Sequence, residues 1–268
     1  MIKRTYILFV SISFLLFNNI NAQEDSQKSA EELAKQLANP VASLINVPFQ
    51  NNFDFNVGLN EGFRYNLNIQ PVIPVSINED WNLISRTIMP IISQSDVTMD
   101  GESETGLGDI IESVFFSPKE PTKNGLIWGA GPIFLLPTAT DDALGIDKWG
   151  LGPNAVFLKL SGQYTYGALV NHMWDIGGSG NVDINQSFFQ PFVTYATPDG
   201  ASYTIASENT KDWEHDMFGG FIGAYYAKVT TIGKQMIQFG GGPKVYYGNN
   251  PFNPEWGFKL NIFFLFPK

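Results

Sequence analysis

The chain has 268 residues, no cysteine and a formal net charge of −10. Without cysteine it has neither a disulfide framework nor a lipidated thiol, and its acidity leaves no basic footprint for nucleic acid. Apolar residues make up 44% of it but charged residues only 16%, where a soluble domain carries about 25% charged.

Residues 1–22 read as a secretory signal peptide. Lys3 and Arg4 open it, an apolar run extends from Tyr6 to Phe17, and Ala22 provides the small residue before the cut. The apolar run is shorter than the roughly 20 residues a helical span needs, and no later run is long enough either. Residues 23–43 form a periplasmic N-terminal segment. In it Ser29 and Glu32 fit a capping box, and Ala30, Leu33, Leu37 and Ala38 share one helical face. Asn39-Pro40 stops this helix. At about ten residues it is marginal in isolation. It therefore docks at the mouth of the domain that begins at residue 44, with Leu33 and Leu37 as a candidate plug or gate, or it only spaces that domain from its signal peptide.

From residue 44 to 268 the period changes from 3.6 to 2. Ile45, Val47, Phe49, Phe53 and Phe55 alternate with Asn46, Gln50, Asn52 and Asp54. Phe63, Tyr65, Leu67, Ile69 and Ile73 alternate with Arg64, Asn66, Asn68 and Gln70. Less regular strands are expected at 81–92, 106–117, 125–137, 149–160, 164–174, 188–195, 201–209 and 218–230. Asp109 and Glu112 cannot share a face by strict alternation, so an irregularity is expected there. The pattern is clear again at Ile237, Phe239, Val245 and Tyr247, and in the last strand, where Phe258, Leu260, Ile262, Phe264 and Phe266 oppose Lys259 and Asn261. Such alternation spreads apolar residues over one face without collecting them into runs.

The count is twelve strands. An even number brings both termini of a single-chain barrel to one side. The links near 93–105, 138–148, 175–186, 208–217 and 248–255 are long, and those near 77–80, 160–164, 196–201 and 231–235 are short. Trp81, Trp128, Trp149, Trp174 and Trp256 fall at strand ends, as a headgroup-level girdle requires, and Trp213 falls in a long link. The expected fold is all-β: a closed antiparallel transmembrane β-barrel of about 12 strands with a short N-terminal helix, in the outer membrane of a Gram-negative bacterium after signal-peptide cleavage.

Alternation nominates an inward-facing set: Asn46, Gln50, Asn52, Arg64, Asn66, Asn68, Gln70, Arg86, Asp109, Gln190, Gln238, Lys244, Lys259 and Asn261. These side chains either line a path for a permeant or fill and cross-link the lumen. Arg64, Arg86, Lys244 and Lys259 form an anion-favouring strip, or they pair with Asp54 and Asp109 as intramembrane charges commonly do. No Gly-x-Ser-x-Gly or His-Glu-x-x-His motif is present, so no enzyme is expected. A serine near His172 at the outer rim would reopen that reading. The acidic Asp141-Asp142 stretch lacks the spaced ligands of a calcium loop, so neither a metal site nor a cofactor is expected.

Four segments carry a resemblance: Asn39–Asn52 (NPVASLINVPFQNN), Asn68–Pro74 (NIQPVIP), Trp81–Thr87 (WNLISRT) and Gly106–Asp109 (GLGD). Together they resemble the outer-membrane family linked to the meta pathway of phenol degradation, often labelled "transporter" or neuromedin U-like. That resemblance implies a barrel passing small, hydrophobic or aromatic molecules. The alternatives are a structural barrel with a filled lumen or a lipid-modifying enzyme. Expected partners are outer-membrane lipid, an unidentified small permeant, and the barrel-assembly machinery through the C-terminal strand. Pro267-Lys268 after the terminal aromatic Phe266 depart from the usual assembly signal.

Overall fold

The structure, a computed structural model, describes residues 30–266. The signal peptide, Ser29 of the capping box and the Pro267-Lys268 ending lie outside the described residues. A helix, α1 (Ala30–Leu37), precedes fourteen strand segments. These are β1 (Ile45–Val57), β2 (Gly62–Ile69), β3 (Val72–Ser76), β4 (Trp81–Ser95), β5 (Ser103–Leu107), β6 (Ile110–Pro118) and β7 (Leu126–Leu136). After a short 3-10 turn at Asp142–Leu144 come β8 (Lys148–Ser161), β9 (Tyr164–Gly178), β10 (Asn185–Ala196), β11 (Ala201–Asp212), β12 (Met217–Ile232), β13 (Gln235–Gly248) and β14 (Trp256–Phe266).

Neighbouring segments pair antiparallel around a full circuit, and β1 closes it against β14 from Ile45 opposite Phe266 to Phe55 opposite Trp256. Two barrel strands are broken in the middle. Both β2 and β3 pair with β4, separated at Gln70-Pro71 because proline has no N–H for the ladder. Both β5 and β6 also pair with β4, separated at Gly108-Asp109. Counted as barrel strands the fold is a closed antiparallel twelve-stranded β-barrel, so the runs expected as single strands at 63–73 and 106–117 are each two segments.

Ile45 and Phe266 are paired, so the first and last strands meet at one end, called here the lower end. Links at the upper end are less uniform than the sequence implies. The stretch 208–217, expected as a long loop, is strand as far as Asp212, because Thr210 and Asp212 continue the ladder against Gly219 and Met217. Asp212 then caps the turn, accepting from the backbone N–H of Glu214 at 2.9 Å and of His215 at 3.2 Å. Trp174 likewise does not close its strand, which runs on to Gly178.

The outer surface carries apolar residues around the circuit, with Ile205 60% exposed, Val245 57%, Ile222 51% and Phe239 49%. A belt of this kind has lipid as its natural solvent. Trp81 packs edge-on against Trp128 at the lower end, with centroids 5.8 Å apart, and Trp256 stacks on Phe55 at the upper end at 4.3 Å. Inside the barrel there are two apolar clusters rather than one core. Leu33, Ala34 and Leu44 pack with Ala196, Val229 and Leu265. Val41 packs with Val72, Ile84, Phe115, Val156 and Leu158. Residues 30–44 therefore cross the lower mouth. The helix lies against the β10–β12 side, and Val41 reaches the β4–β6–β8 side.

Candidate lumen site

Among the described residues the lumen shows a lower cavity of about 230 Å³ and an upper one of about 650 Å³. Six residues border both: Gln50, Gln70, Arg86, Gln190, Glu208 and Lys259. They form a narrowing built from two hydrogen-bonded sets. Arg86 Nη2 donates to Gln70 Oε1 at 3.0 Å, and Gln70 Nε2 donates to Gln50 Oε1 at 3.1 Å. Glu208 Oε1 accepts from Gln190 Nε2 at 3.1 Å and from Lys259 Nζ at 3.2 Å.

Above the narrowing Lys244 is nearly sealed, 2% exposed. Its ammonium lies 2.8 Å from Asp54 Oδ1 and donates to Asn52 Oδ1 at 3.1 Å and to the Tyr246 hydroxyl at 2.7 Å. Tyr246 in turn donates to Asp54 at 2.7 Å. Aromatic rings surround both lysines: Phe221 lies 5.1 Å from Lys244 Nζ and 5.2 Å from Lys259 Nζ, with Tyr225 at 5.4 Å from the latter. These contacts are in the range of cation–π attraction.

Of the residues nominated by alternation, Gln238, Asn46 and Asn261 border the lower cavity, and Asn52, Asn66, Asn68, Asp109 and Lys244 border the upper one. Two placements correct the pairing expectation. Arg64 stands opposite Asp54 across the first hairpin, yet Lys244 holds that carboxylate. Arg64 instead donates from Nε to Gln94 Oε1 at 3.0 Å, near the upper rim and off both cavities. Asp109 pairs with no basic side chain among the described residues. Its carboxylate accepts from the backbone N–H of Thr138 and Ala139 at 3.1 Å and of Ile146 at 2.8 Å. It thus anchors the 137–147 loop, whose Leu144, Gly145 and Ile146 fold inward over the upper cavity.

Alternation puts Tyr246 on the same face as Gln238 and Lys244 but does not nominate Glu208 or Tyr225. Glu208 falls two positions beyond Thr204 and Ala206 on the inward face, but its strand runs Ser-Glu-Asn-Thr-Lys-Asp from 207 to 212, where no apolar face marks the register. Leu33 is wholly buried in the docked helix, while Leu37 is half-buried and borders the lower cavity. The Tyr225 hydroxyl and the Asn66 and Asn261 side-chain oxygens are buried without a protein hydrogen-bond partner.

On the outer face, His172 Nδ1 lies 2.7 Å from Ser187 Oγ, which also accepts from Trp213 Nε1 at 2.8 Å. The His172 ring rests against Trp174, and its Nε2 has no partner.

No family model and no curated protein matches the chain. Among solved structures, an outer membrane channel from Pseudomonas putida is similar with a TM-score of 0.66 at 13% identity, covering 84% of this chain and 96% of that one. Outer membrane phospholipase A from Escherichia coli gives a TM-score of 0.47 at 8% identity, covering 84% and 99%. At 13% identity the likeness to the channel speaks for the fold alone, that of an outer-membrane barrel.

Proposed function

We propose that the chain is an outer-membrane channel for small molecules with an apolar or aromatic body, and that residues 30–44 close its periplasmic exit. The observation that carries this reading is the pair of lumenal cavities joined at a polar narrowing, with α1 seated across the lower one. A barrel serving only as scaffold has no need of an 8-residue helix that buries Leu33 against its inner wall. The sequence resemblance to the phenol-pathway family supports aromatic permeants. Single-channel recording tests the reading. The intact protein should conduct weakly, and removal of residues 24–38 should raise its conductance several-fold. Equal conductance in a folded deletion variant would reject the plug and leave the helix a spacer.

A second reading rests on His172 and Ser187, which lie in hydrogen-bond contact on the outer face near Trp174 and Trp213. A base and a hydroxyl in contact are the start of a nucleophilic site. Against it, the unpartnered Nε2 leaves the imidazole without a third group to orient it. Phospholipid hydrolysis lost in Ser187→Ala would establish the enzyme. No hydrolysis by the intact protein would leave the contact a girdle hydrogen bond.

A further inference from the structure

We propose that Arg86 is a carboxylate-binding subsite, so that the permeants of this barrel include organic acids with an apolar body. The proposal rests on the channel reading above and names its substrate class. It follows from matching every charge on the cavity walls to a partner. Asp54 is held by Lys244 at 2.8 Å and Glu208 by Lys259 at 3.2 Å. Asp109 is occupied by three backbone N–H groups. Arg86 is left over. It borders both cavities and makes no ion pair among the described residues; its one hydrogen bond goes to the neutral Gln70.

An arginine has five N–H donors in a fixed fork that matches a carboxylate in two-point contact. Intramembrane charges are costly and almost always paired, so a cation with no carboxylate in contact is the exception to explain; Glu208 at the same narrowing acts on Arg86 only at a distance, its contact being with Lys259. Its setting is ordered rather than loose. Gln50 accepts from the Gln70 amide nitrogen, which turns the Gln70 oxygen toward Arg86 and fixes one edge of the guanidinium. Because Lys259 already balances Glu208, the narrowing retains one positive charge.

The other half of the ligand is read from the wall on either side of Arg86. Ile88 follows Arg86 on the same face of β4, and Ile111, Ile133, Leu135 and Phe188 border the same upper cavity. At about 650 Å³ that cavity is in the range of ordinary small-molecule sites. A lone fork of donors beside an apolar wall suits a monocarboxylate on an aromatic or aliphatic body. A small inorganic anion would gain nothing from the apolar side.

The test uses the full mature protein in neutral detergent, titrated calorimetrically with benzoate and with benzyl alcohol, which share a ring and differ in charge. Benzoate should bind at least about tenfold more tightly than the alcohol, the range expected of a charge-assisted hydrogen bond. Arg86→Gln should bring benzoate to the level of the alcohol, and Arg86→Lys should retain part of the preference. Gln70→Glu supplies an internal carboxylate beside Arg86 and should abolish the preference without removing the arginine, so the test survives if Arg86→Gln does not fold. Equal binding of the two probes, or a preference untouched by Gln70→Glu and Arg86→Gln, would overturn the subsite. Binding is read without transport, so the two readings fail separately. Benzoate that binds through Arg86 yet never enters proteoliposomes would overturn the channel and leave the subsite. Entry of benzyl alcohol with no benzoate preference would do the reverse.

Discussion

Lys244 shows what burial demands of a single residue here. Its ammonium is 2% exposed and has three oxygen partners, of which only Asp54 carries charge. Removing one partner of a buried pair leaves the other charge uncompensated, which costs about 3–5 kcal/mol. Asp54→Asn should therefore lower unfolding stability in lipid vesicles, toward the small end of that range because Asn52 and Tyr246 remain. The double variant Asp54→Asn with Lys244→Met should recover much of the loss, and a simple sum of the two single losses would show that the pair is not coupled. On the outer face the test is the reverse. Ile262 faces outward between Phe49 and Phe239 in the ladder, and Asn261 beside it faces in. Ile262→Arg should cost about 2–4 kcal/mol if it lies near the bilayer midplane, whereas Asn261→Ser should be tolerated. The opposite order would mean that the register of β14 is inverted.

At the scale of the element, the lower plug and the upper loop are held by different physics, and each gives its own prediction. The helix α1 docks through apolar contact. Leu33 fits between Ala196, Val229 and Leu265, and the facing turn comes so close that a Cβ on Gly200 would lie 2.6 Å from Ala30 Cβ. Leu33→Asp places an unpaired carboxylate in that contact. It should undock the helix and raise single-channel conductance as the deletion does; unchanged conductance would show that the helix does not control the path. The upper loop is instead held by the Asp109 carboxylate. Asp109→Ala removes the acceptor for three N–H groups and should make the 137–147 loop susceptible to limited proteolysis, while cleavage at the native rate would show that another contact holds it. Strands with one apolar and one polar face, such as β1, β2 and β14, were legible from alternation alone. The interruption at Gly108-Asp109 is legible only as irregularity, because a broken ladder and a bulge disturb the period in the same way, and the one at Pro71 is not legible at all, because Ile73 resumes the apolar face on the same period as Ile69. Spacing makes Asp109 a wall charge because it reports a face and not a partner: its three donors lie 29 to 37 residues away. The ion pair of Lys259 with Glu208 spans 51 residues and joins β14 to β11 across the two strands between them, a meeting that depends on the curvature of the sheet.

For the whole molecule, closure removes every sheet edge and leaves solvation by lipid as the constraint on the outer surface. Glu112 breaks the apolar belt. Ser113 and Phe115 beside it on β6 face inward, so Glu112 faces out, at the level where Arg86 lies inside the wall. Ser85 and Thr87 on β4 donate their hydroxyls to its two oxygens at 2.7 and 2.5 Å. Those two bonds lower the cost of the carboxylate but do not remove it, since an acid on the lipid face still loses part of its hydration. If lipid is the only neighbour of this face, Glu112→Leu should raise the urea midpoint in vesicles by an amount equivalent to about 1–2 kcal/mol, with Glu112→Gln between. The hydroxyls of Ser85 and Thr87 can turn to backbone carbonyls of their own strand, so they add little to the balance. A midpoint lowered by Glu112→Leu would give the opposite account, in which the carboxylate makes a contact with something other than lipid. Measuring the midpoint at two protein-to-lipid ratios separates these cases: a loss that grows with protein density identifies a second copy of the barrel as that neighbour.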